Sequence, residues 1–91
     1  MNTLPEDVVA YKQTRTFDTN TTPAGLLGEH STRAGVWGRL IVLEGRLHYT
    51  IFKPIEEVHV LEAGDVGIIA PEQPHKVALE EGTRFMVEFL K

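Results

Sequence analysis

The chain has 91 residues, with 9 Lys or Arg, 13 Asp or Glu and no Cys. That length bounds it to one domain over residues 1–91, and a net charge of −4 argues against a nucleic-acid partner, which calls for a basic footprint. Without Cys there are no disulfides, Cys-ligated zinc, iron–sulfur clusters or thiol chemistry; no apolar run is long enough for a membrane span, and Met1 to Asp7 lacks the regions of a signal peptide, so a cytoplasmic protein with no membrane partner is expected.

Val, Ile and Thr make up 23 of the 91 residues, and these β-branched side chains suit a pleated surface. In chain order, Val8 to Lys12 reads as a first strand and Asp18-Thr19-Asn20 as a turn. Ala24 to His30 reads as a short extended run and Ser31 to Gly35 as a loop. Trp37 to Leu43 is apolar enough to predict a strand buried on both faces. Glu44-Gly45 turns into Arg46 to Phe52, where Leu47, Tyr49 and Ile51 alternate with His48, Thr50 and Phe52. A strand around Val58 and Val60 follows, then a turn at Glu62 to Asp65 and a short strand from Val66 to Ala70. Pro71 and Pro74 both lack an amide donor, so the segment between them predicts a rigid turn. His75 to Leu79 and Thr83 to Leu90 close the series. Strand starts recur about every 8–12 residues, the spacing of an all-β sandwich or barrel, with no helix longer than two turns.

Four histidines carry most of the available chemistry. His30 ends one predicted strand and His75 begins another, and strand ends near one mouth of a barrel converge in space. Neutral imidazoles offer lone pairs to a divalent transition metal such as zinc, nickel or iron. A carboxylate is the natural third ligand: Glu88, which interrupts an apolar strand, or Glu29. His48 and His59 read as members of ordinary strand faces. Arg33 and Arg39 lie in sequence near Trp37, and guanidinium forks suit an oxyanion, so these three residues form a candidate ligand-binding set. No phosphate-binding loop, dinucleotide fingerprint or nucleophile elbow is present, so neither a nucleotide cofactor nor triad hydrolysis is expected.

The segments Tyr11-Lys12, Pro23 to Leu27, Glu29-His30, Gly35 to Leu40, Leu43 to Leu47 and Pro71 to Val77 resemble the TehB/YeaR-like family, over essentially the whole chain from about Leu4. The resemblance implies a single-domain cupin, a double-stranded β-helix or jelly-roll barrel, of bacterial origin and linked to tellurite resistance or stress response. TehB carries a methyltransferase domain after its cupin; the chain stops at Lys91, so no S-adenosylmethionine site is expected. Cupins with a full ligand set take two His and a Glu from one motif and a His from the next. On that pattern His30 and His75 stand for the first and last His, Thr32 takes the place of the second, and the Glu is missing near Trp37.

The leading expectation is therefore a small cupin that binds a metal ion or an oxyanion ligand in its barrel. The alternatives are a metal-dependent oxygenase or isomerase acting on a small molecule, and a non-catalytic protein-interaction module. A homodimer is expected, because a small β domain has a limited core and the last strand is apolar on both faces except at Glu88.

Overall fold

A computed structural model describes all of residues 1–91. The elements in chain order are β1 (Ala10–Gln13), a single helical turn α1 (Ala24–Leu27), β2 (Trp37–Glu44), β3 (Arg46–Ile51), β4 (Glu57–Glu62), β5 (Val66–Ile69), β6 (His75–Leu79) and β7 (Arg84–Leu90). Seven antiparallel strands form two sheets, one ordered β1-β7-β2-β5 and the other β4-β3-β6. The core lies between them: Leu40 and Val42 of β2, Leu47, Tyr49 and Ile51 of β3, Val77 of β6, and Phe85 and Val87 of β7. Each of these alternates with an outward neighbour, as the two-residue period of a strand requires. Burying one such side chain stabilises the fold by about 1.5–3 kcal/mol.

Two cross-links fix how the sheets meet. The Tyr49 hydroxyl donates to the Ile68 carbonyl at 2.8 Å, joining β3 to β5 of the opposite sheet. Burial pushes its phenol well above the ordinary tyrosine range. The hairpin between β2 and β3 turns at Gly45, whose φ is +77°. A Cβ there would sit 2.7 Å from the Thr83 Cα. Buried Thr83 donates its hydroxyl to the Arg46 carbonyl at 2.7 Å and accepts the Arg46 N–H at 3.1 Å, tying the hairpin to the start of β7.

The structure departs from the sequence reading in two places. Ala24 to Leu27 closes a helical turn instead of extending, and only His30 makes a strand-like bridge. β2 is fully buried on one face only: Gly38, Leu40 and Val42 are inside, whereas Trp37, Arg39 and Ile41 are half-buried and Leu43 is exposed. In β4, whose alternation leaves open which face is inside, Val58 and Val60 are the outward set and Glu57, His59 and Leu61 lie on the other face. Within its sheet β7 lies between β1 and β2.

Candidate functional site

Two adjacent loops build one wall of the barrel mouth. Pro74 confines Gln73 to extended backbone, and Glu72 adopts a left-handed φ of 59°, so the chain enters β6 at a fixed angle. The Glu72 N–H donates to the Thr32 carbonyl at 3.2 Å, and the Thr32 hydroxyl donates to the Val36 carbonyl at 2.8 Å, fastening the 31–36 loop beside that turn. His30 and His75 then exchange both backbone bonds: the His30 N–H reaches the His75 carbonyl at 2.9 Å and the His75 N–H reaches the His30 carbonyl at 2.8 Å. A directly opposed antiparallel pair carries its side chains on one face. The two rings accordingly lie 4.1 Å apart between centroids, and the His75 ring stands edge-on to Tyr49 at 5.8 Å.

The hydrogen bonds define which nitrogen of each ring carries a proton. His30 Nδ1 lies 2.9 Å from the Gly28 carbonyl, and His75 Nδ1 lies 2.8 Å from the Gln73 carbonyl. A carbonyl only accepts, so in the neutral ring Nδ1 is the protonated nitrogen and Nε2 keeps its lone pair. This is the arrangement of metal-ligating histidines, whose second nitrogen is held by a carbonyl or carboxylate. His75 is only 1% exposed. Burial pushes its pKa below the ordinary imidazole value of 6.5, and nearby His30 acts in the same direction against the opposing bond to Gln73, so His75 is neutral at pH 7.

Both histidines border a pocket of about 920 Å³. Its apolar wall includes Leu26, Leu40, Ile69, Val77, Val87 and Phe89. Lys12, Arg33 and Lys91 line its exposed part, and none of its 18 lining residues is Asp or Glu. The β1–β7 register breaks between Ala10 and Lys12, and the successive residues Tyr11 and Lys12 both reach the pocket. No group of three His, Cys, Asp or Glu side chains converges anywhere in the chain.

The candidate residues are thus divided between two surfaces. His30, His75 and Arg33 meet at the pocket. Glu88 does not join them: it faces Arg39 across the β2–β7 pair, on the side of the sheet opposite Leu40 and Val87. Arg39 Nε lies 3.0 Å from Glu88 Oε1, but its N–H is not aligned on that oxygen, so the contact is a charge pair. Arg39 and Trp37 share this outer side, away from the pocket, and Glu29 is exposed. Thr32 stays with the site as a lining residue. His48 bonds Glu80 at 2.7 Å on the outer face of its sheet, and His59 bonds Glu57 at 3.0 Å. Lys12 and Lys91 were not distinguishable in sequence as site residues, because their place depends on how β1 and the C-terminal strand pair.

The sequence pattern of the TehB-like domain family matches residues 12–87. No curated protein matches the chain. A protein of E. coli strain K12, known from a crystal structure, is 25% identical and superposes with a TM-score of 0.90 over 100% of this chain and 97% of its own. TehB from Haemophilus influenzae is 23% identical with a TM-score of 0.85; the match covers 93% of this chain and 32% of that one, so the chain spans about a third of that protein. A cupin-2 domain protein from Shewanella frigidimarina is 20% identical, with a TM-score of 0.58 over 98% of this chain and 74% of its own, a likeness of fold.

Proposed function

The chain belongs to the TehB-like domain family and has the cupin fold, and on that premise we propose that its barrel binds one divalent transition-metal ion on the Nε2 atoms of His30 and His75, and with it a small oxyanion-bearing ligand. The observation that carries this reading is the paired tether of both Nδ1 atoms to backbone carbonyls. Two adjacent lone pairs repel a bare anion but suit a cation. Zinc, nickel and iron all accept imidazole. The donor set fits an ion that keeps open positions for water or ligand, and does not fit a closed structural site, which takes four protein ligands. When bound, the ion would supply positive charge to polarise an oxyanion or carbonyl.

This chain's own residues do the rest. The Gly28 and Gln73 carbonyls hold the rings in one tautomer, and the apolar wall limits water around the bound group. Cationic Arg33 and Lys12 attract negative charge to the mouth. A tellurite- or stress-related role belongs to the same proposal. A metal-dependent oxygenase or isomerase is less well supported, because catalytic metal sites take three protein ligands and two are present. Calorimetric titration of the metal-free protein with Zn²⁺, Ni²⁺ and Fe²⁺ tests the proposal. One ion per chain, weakened at least tenfold in both His30→Ala and His75→Ala, is expected. No saturable binding of any of the three would overturn it in favour of a metal-free interaction module.

A further inference from the structure

The overall charge and the charge of the pocket have opposite signs. The chain carries 13 acidic and 9 basic residues, yet the pocket lining takes three of the basic residues and none of the acidic ones. Elsewhere three arginines find carboxylates, Arg39 with Glu88, Arg46 with Glu80 and Arg84 with Glu44, while the other basic residues outside the pocket, Arg15, Lys53 and Lys76, are dispersed over the surface and not gathered at one opening. Lys12 and Arg33 have no such partner, and Lys91 rests its ammonium 4.5 Å above the Tyr11 ring. Unpaired cations grouped around one opening, in an acidic protein, select a negatively charged occupant.

The size of the pocket adds a second requirement. Its volume of about 920 Å³ falls in the range that encloses drug-sized ligands, roughly 300–1,000 Å³. An inorganic oxyanion displaces only a few water volumes of roughly 30 Å³ each. Such an ion would leave the half-buried Leu26 and Phe89 facing water. Apolar surface of this kind gains stability only when an apolar group covers it.

We infer that the ligand is an organic anion with an apolar body, its charged group held by the cations of the mouth, and by the ion of the histidine pair when one is bound, and its body lying along the apolar wall at Leu26 and Phe89. This deepens the preceding proposal and rests on its assignment of the pocket as the binding site. The headgroup chemistry fits a carboxylate or another oxyacid. The distinguishing element is the apolar body, which separates this class from tellurite, phosphate or sulfate.

The test is calorimetric titration of the full chain, with and without one equivalent of Zn²⁺, using acetate, butyrate, hexanoate, octanoate and tellurite. Affinity is expected to rise roughly threefold to fourfold per added methylene, the gain that burial of each CH₂ provides. Octanoate should bind far more tightly than tellurite. The exposed-site variants Lys12→Glu and Arg33→Glu should each weaken octanoate at least fivefold while leaving the binding of uncharged octanol in place. Affinity flat with chain length, or tellurite binding as tightly as octanoate, would overturn the inference. Zn²⁺ binding without octanoate binding removes this inference alone. Graded fatty-acid binding without Zn²⁺ binding removes the metal reading and leaves the ligand class standing.

Discussion

Single side chains decide the chemistry of this domain, and His75 is the most constrained of them. Its buried ring resists protonation in the folded state, whereas the unfolded chain takes up the proton near the ordinary imidazole value of 6.5. Where the unfolded state binds more protons, stability rises with pH. The metal-free protein should therefore lose stability as pH falls below about 6.5, with full stability above it. Thermal melts from pH 8 to pH 5 should show this slope in the wild type and a shallower one in His75→Gln; identical slopes would contradict the assignment. Tyr49→Phe should cost about 1–2 kcal/mol, or roughly 5–10 °C in Tm, because the Ile68 carbonyl loses its inter-sheet donor. Glu88→Gln should leave metal affinity within twofold of the wild type, since its carboxylate pairs with Arg39 outside the barrel. His30 and His75 were legible as a pair because each sits at the end of a predicted strand beside a turn. The direction of Glu88 was not, because β7 has apolar residues on both faces and only the packed core shows that Phe85 and Val87 are the inner set.

Elements were legible where a turn residue and a two-residue period agree. The hairpin of β2 and β3 is the clearest example: Gly45 occurs where alternating Leu47, Tyr49 and Ile51 begin, and the structure gives it the positive φ that the turn needs. Gly45→Ala should destabilise the protein by about 2–3 kcal/mol, through backbone strain and the approach to the Thr83 backbone, measured by urea unfolding. A change below about 0.5 kcal/mol would mean that the hairpin relaxes without loss. The segment Ala24 to Leu27 shows the limit of such reading. Pro23-Ala24-Gly25-Leu26 has no periodicity long enough to separate a helical turn from an extended run. Tertiary packing decides it, by placing Leu26 against the core cluster. The outward Val58 and Val60 of β4 are a similar case, since alternation reveals two faces but not which one is inside.

At the scale of the whole molecule, the two sheets bring together residues from opposite ends of the chain. The pocket takes Tyr11 and Lys12 from β1, His30 to Val36 from a loop, His75 from β6, and Phe89 with Lys91 from the C-terminal end. The sequence marks His30, Arg33 and His75 as candidates, but their convergence with Lys12 and Lys91 at one acid-free mouth emerges only from the fold, through the 31–36 loop and the pairing of β1 with β7. No helix of the chain is long and apolar enough to cross a membrane. With 17 of 91 residues buried, the core is small, and we propose that the protein supplements it by forming a homodimer. Light scattering across a concentration series should give twice the chain mass, and a constant monomer mass would refute it. In the metal binding proposed for the barrel, His30 and His75 present their Nε2 lone pairs to one ion. Long-range ¹H–¹⁵N correlation spectra of the imidazoles, recorded before and after one equivalent of Zn²⁺, test it most directly. Both rings are expected in the Nδ1–H tautomer in the metal-free protein, with a concerted change of both Nε2 resonances that is complete at one equivalent. An Nε2–H tautomer in either ring, or a Zn²⁺ response confined to one of them, would contradict it.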